Sequence, residues 1–175
     1  MRIAAARQAR APSEPNDYAG RDEWNGKCAY YGFMALEVRT VEYFYVRLAN
    51  DRDDAYRLLA ELAEEDINLL AFSAVPFGET HVEFTLFPER SAGLLRAGAK
   101  RGWELSAPQH AVLIQGDDHL GAVADIYKCL SEAGVAIYAS SGVTDGGGRF
   151  GYVIYFRQDD YREAARAIAA AAMKI

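Results

Sequence analysis

Sliding the chain against itself by 68 positions lays residues 41–78 over 109–146 without a gap, and a repeat of that length dictates the architecture. Leu62/Leu130, Glu64/Glu132, Ala71/Ala139, Ser73/Ser141, Val75/Val143 and Gly78/Gly146 are identical pairs, and apolar positions correspond more widely. In the first copy VEYFYVRL (41–48) alternates β-branched and aromatic residues, the pattern of a strand. DRDDAYRLLAELAEE then places Ala55, Leu58, Leu59 and Leu62 at helical spacing, with Asp51 as N-cap and Asp54 in an acidic first turn. INLLAFSAV (67–75) and HVEFTLF (81–87) read as strands, SAGLLRAGAKRG (91–102) as a helix ending at Gly102, and WELSA (103–107) as a short strand.

The second copy keeps this order. HAVLIQG (110–116) is a strand, and HLGAVADIYKCLSEAG (119–134) is a helix with Leu120, Val123, Tyr127 and Leu130 inward and Gly134 closing it. VAIYASSGV (135–143) and FGYVIYF (150–156) are strands around a TDGGGR turn, and Asp160 with Glu163 forms a capping box for YREAARAIAAAA. Only Met173, Lys174 and Ile175 remain for a last strand, which is therefore missing, very short or supplied by another segment.

The expected fold class is α+β: two ferredoxin-like βαββαβ modules, residues 35–107 and 108–175, each an antiparallel sheet with helices on one face. Tyr43, Tyr45, Leu70, Phe72, Tyr138 and Tyr155 are assigned to the open sheet faces. Such a patch exceeds what a monomer tolerates in water, so sheet-to-sheet packing within the chain and a homodimer are both expected. Residues 1–33, cationic and then polar with Pro, Gly and Asn, read as a mobile N-terminal extension, with Met34 as a true start and order from near Ala35.

A formal charge of −6 opposes nucleic-acid binding, which needs a cationic surface to displace counterions. Cys28 and Cys129 lie too far apart for a CxxC zinc site and fit a reducing cytoplasm. No apolar run approaches the roughly 20 residues that cross a bilayer, so no membrane partner is expected.

QGDDHLGAVADIYKCLSEAGVAIYASSGV (115–143) resembles the start of an ACT domain: a strand, a loop with Asp and Gly, a helix, and a Gly-led entry to the second strand. Gly121 holds the loop position and Gly134-Val135-Ala136-Ile137 the helix exit, while LANDRDDAYRLLAELAEEDINLLAFSAV is a looser copy with Asp53 where Gly121 stands. The resemblance spans 41–170 as a tandem pair. It implies a regulatory sensor that binds a small-molecule ligand, an amino acid, and acts on amino-acid metabolism through a partner enzyme. The implied site uses the helix N-terminus beyond Leu120 for the carboxylate, Gly121 for close approach, Asp117 or Asp118 for the ammonium, and Ser140 and Ser141 for short hydrogen bonds.

Each residue also has a plainer role: Gly121 in a close helix–sheet contact, Asp118 as an N-cap, Ser73 and Ser141 as small core residues. The TDGGG turn (144–148) lacks the Gly-Lys-Ser/Thr of a phosphate loop. His81, His110 and His119 have no spacing for a metal or a nucleophile–base pair, so no catalytic residue, metal or cofactor is assigned. Three alternatives stay open. One is a ligand-free interaction module. Another is an acylphosphatase-like hydrolase using Arg52 and Asn50, which the flanking Asp51, Asp53 and Asp54 oppose. The third is an RNA-binding module stacking bases on Tyr43, Tyr45 and Tyr155, which the acidic charge opposes.

Overall fold

In the computed structural model residues 36–49, 51–157 and 160–172 are described. The expectations for residues 1–33, Met34, Ala35, Asn50 and a strand at 173–175 lie outside them. The element order is β1 (Glu37–Ala49), α1 (Arg52–Glu64), β2 (Leu69–Phe77), β3 (His81–Pro88), α2 (Ser91–Arg101), β4 (Gln109–Asp117), α3 (Ala122–Glu132), β5 (Ala139–Thr144), β6 (Arg149–Tyr155) and α4 (Tyr161–Ala172). The βαββα order occurs twice, as the ferredoxin-like repeat requires.

All six strands join one antiparallel sheet in the order β2-β3-β1-β4-β6-β5. The strand that unites them is β1, which starts four residues before the expected Val41. Its first half, Glu37–Tyr43, pairs with β4, and its second half, Phe44–Ala49, pairs with β3. Glu37–Tyr43 of β1 therefore occupies the edge of β4 that a last strand of the second copy would take, in keeping with a strand supplied by another segment. The strand expected at 103–107 reduces to a single bridge between Leu105 and Val46. The segment is held by one backbone bond to β1, Ser106 N–H to Tyr45 O at 2.9 Å, and by side chains: the Trp103 indole donates to Glu61 at 2.8 Å, and Ser106 Oγ accepts the Tyr45 N–H at 3.0 Å.

Alternation along β1 divides the core. Phe44 and Val46 face α1 and α2 with Leu58, Leu62, Phe84, Leu86 and Leu94, while Val112, Ile114 and Ile154 face α3 and α4 with Ile126, Leu130, Ala164 and Ile168. The opposite face carries Val41, Tyr43, Phe87, Ala111, Leu113 and Val153, all buried. Burial without helices arises because the halves fold over each other: the Tyr43 ring lies 5.1 Å from Phe87 of β3 and 5.3 Å from Tyr155 of β6, and these two are 5.9 Å apart. The sheet-to-sheet packing expected for the aromatics thus occurs within the chain.

Three expectations need correction. The buried stripe of α3 is Ala122, Ile126, Cys129 and Leu130, whereas Leu120 precedes the helix and Val123 and Tyr127 are exposed. The helix begins only at Ala122, and its phase follows Ile126. Phe72 stands opposite Leu86, on the helix side, because an irregularity between Leu69 and Ala71 inserts a residue and flips the parity. Asp51 is the N-cap of α1, but its side chain makes no cap hydrogen bond.

The repeat extends to backbone detail. Gly78 and Gly146 have φ of 67° and 68°, and the exits of α1 and α3 share one closure, Ile67 N–H to Leu62 O and Val135 N–H to Leu130 O, each 2.9 Å. The left-handed residue of that closure is Gly134 in one copy and Asp66, at φ 56°, in the other. A left-handed L-residue costs roughly 1–2 kcal/mol, and glycine returns about 0.4–1 kcal/mol through its freer unfolded chain. Asp66→Gly should therefore stabilise the protein by about 0.5–1 kcal/mol, read as a higher urea midpoint at unchanged slope; a lower midpoint would contradict it.

Candidate functional site

The connection from β4 to α3 must reverse the chain within residues 118–121, and it does so with Gly121 at φ 94° as the N-cap of α3. A Cβ there would meet nothing within 4 Å, so the dihedral rather than a close helix–sheet contact demands glycine. The Asp118 N–H donates to Gly148 O at 2.7 Å, the Ala122 N–H to His119 O at 3.2 Å, and the Asp125 N–H to Gly121 O at 3.1 Å. The N–H groups of Val123 and Ala124 lie in the first turn, where an α-helix has no preceding carbonyls to offer, and the helix dipole adds positive character. The first copy differs: α1 already begins at Arg52, so Asp53, the counterpart of Gly121, lies inside the helix.

A cleft of about 630 Å³ opens at this helix start. One wall is the loop with Asp118, Leu120 and Gly121, and the other is the end of β5 with Gly142 and Thr144, backed by Tyr152. Leu120 is 95% exposed, an apolar side chain held out in water beside the opening. Gly142 is close-packed, since a Cβ there would come within 2.7 Å of the Tyr152 ring.

Of the six residues expected to form a site, Asp118, Leu120 and Gly121 converge on this cleft. Asp117 pairs across the sheet with Arg149, on the face away from the helices. Ser140 sits deeper on the helix side, its Oγ bonded to the hydroxyls of Tyr127 and Tyr152, each at 2.9 Å. Burial pushes the Tyr152 phenol up to about 12, whereas the hydrogen bond from Ser140 draws that of Tyr127 down. Ser141 points to the opposite face and lines a different cavity, between β2 and β5. The wall formed by Gly142, Thr144 and Tyr152 escaped the sequence reading; its one signal was a glycine inside a strand, which marks close backbone approach.

Among the described residues no group of His, Cys, Asp and Glu could hold a metal ion, and no helix is long and apolar enough to cross a membrane.

No family model matches the chain, and no curated protein matches its sequence. Solved structures do match its fold. A Bacteroides thetaiotaomicron protein superimposes with a TM-score of 0.67 at 17% identity, over 77% of this chain and 90% of that one. The ligand-free regulatory subunit of aspartate kinase from Thermus thermophilus gives 0.57 at 14% identity, over 79% and 97%. A structure of aspartokinase alpha and beta subunits gives 0.53 at 16% identity, over 81% and 99%. At such identities the likeness concerns the fold alone, the paired ferredoxin-like arrangement expected from the repeat.

Proposed function

We propose that this chain is a regulatory module that binds an amino acid in the cleft at the start of α3. The observation that carries this reading is the joint placement of Gly121 at φ 94°, the first-turn N–H groups of α3 and Asp118 around one opening. A zwitterion needs donors for its carboxylate and an acceptor for its ammonium, and these groups supply both. The fold shared with a regulatory subunit of aspartate kinase supports a regulatory role. Asp117, Ser140 and Ser141 have no direct ligand contact in this reading. The site draws instead on the end of β5.

β5 is an edge strand exposed along its whole length, with Tyr138 just before it 76% exposed. An unpaired, partly apolar edge beside the cleft supports a homodimer in which a second copy covers it. Calorimetric titration with the twenty amino acids should find saturable binding of at least one, and sedimentation should find a dimer at tens of micromolar. Absence of any amino-acid response would overturn the ligand reading, and a monomer would overturn the dimer alone.

A further inference from the structure

Three of the six identities between the repeats, Ala71/Ala139, Ser73/Ser141 and Val75/Val143, fall at every second residue. The register places all of them on the face away from the helices, opposite Phe87, Thr85 and Glu83 in one half and Tyr155, Val153 and Gly151 in the other. β2 and β5 are the two outer strands of the sheet, yet the folding-over of its halves brings them to one cavity of about 650 Å³, with Ala71, Ser73, Ser141 and Val143 in its walls. Of the shared positions, Ser73 and Ser141 line this space from both copies, and Ala71 and Val143 from one each.

The cavity is of ligand size, with apolar walls and few polar groups. Leu70, Leu113 and Val153 supply apolar surface, and the rim leaves Val143 71% exposed. Ser73 and Ser141 lie near the Tyr155 phenol, which burial pushes up and these two hydroxyls draw down. Gln115 Oε1 accepts from Arg39 Nη2 at 2.8 Å, which leaves its amide N–H groups as donors, and Arg149 lies nearby on β6. Asp145 also lines the cavity, but its Oδ1 accepts the N–H groups of Gly147 at 2.7 Å and Arg149 at 3.0 Å, committing it to its own turn. Its charge still acts on Arg149, and the side-chain donors left in the wall for an anion are the Arg149 guanidinium and the Gln115 amide.

We propose that this cavity is a second binding site, for a monocarboxylate with an apolar body such as a medium-chain fatty acid. The carboxylate meets Arg149 and Gln115, and the chain lies against Leu70, Leu113 and Val143. The α3 cleft opens on the other side of β5, and the two cavities share Gly142, Val143 and Thr144 of that strand as a common wall.

Titration with decanoate below its micellar range tests this. Saturable single-site binding is expected, with decanamide binding about tenfold more weakly or worse, and Arg149→Gln weakening decanoate by about tenfold or more. Ser73→Leu, which fills the cavity, should abolish binding in a chain whose circular dichroism is unchanged; if that variant does not fold, Arg149→Gln decides. Gly121→Asp should leave decanoate binding intact, whatever it does to an amino-acid response. Equal binding of decanamide, an unaffected Arg149→Gln, no saturation, or loss of decanoate in Gly121→Asp would each overturn the proposal.

Discussion

Phe44→Ala should destabilise the whole chain by about 3–5 kcal/mol, a large share of the roughly 5–15 kcal/mol typical of a domain. Phe44 is fully buried, stands opposite Leu86, and lies where β1 passes from pairing with β4 to pairing with β3. A cavity there loosens the one strand that both halves use. In a Trp24→Phe background Trp103 becomes the sole tryptophan and reports on the first half, while far-UV circular dichroism reports on all of the helices and strands. The two urea transitions should coincide in the parent and move together in the variant. Separated transitions would mean that the repeats unfold as independent units.

The second large effect is expected at the loop before α3. Gly121→Asp brings a carboxylate to the helix N-terminus that a ligand carboxylate would occupy. Losing two charge-assisted hydrogen bonds, at roughly 1.5–3 kcal/mol each, weakens binding more than about 100-fold. The substitution also strains the backbone, because φ is 94°, by about 1–3 kcal/mol. Gly121→Asn carries the same strain without the charge, so it should retain binding within about tenfold of the parent, and Asp53→Ala should change little. If calorimetry finds Asp53→Ala disruptive and Gly121→Asp harmless, the site belongs to the first copy.

The repeat was legible because the constraints behind it are local. Gly78 and Gly146 adopt matching left-handed turns, and α1 and α3 end in the same closure whether the residue is Asp66 or Gly134. The aromatic pattern of Tyr43, Tyr45 and Tyr155 likewise announced a covered face. What escaped depended on pairing between distant segments. LEVRT before Val41 alternates as a strand should, but it has no counterpart in the second copy, so comparing the copies hid the segment that joins them. The placement of Phe72 failed for a smaller reason: an extra residue near Leu70 reverses the parity, and period-two patterning cannot reveal such a slip. At the candidate cleft, Gly121 and Asp118 were legible through the ACT resemblance of their loop. Tyr152 and the end of β5 were not, since only the register brings them beside the helix start.

The double duty of β1 bears on how such a chain can be cut and recombined. A gene fragment encoding only 109–172 would leave β4 with a bare edge where Glu37–Tyr43 now lies, and one encoding only 44–101 would lose the continuation of its central strand. Neither repeat is a portable cassette, although each looks like one in the sequence. Transfer into another protein has to carry both, with the segment from residue 36 onward. Foreign sequence is better accepted in the exposed hairpin around Gly146, where it interrupts no pairing that the halves share.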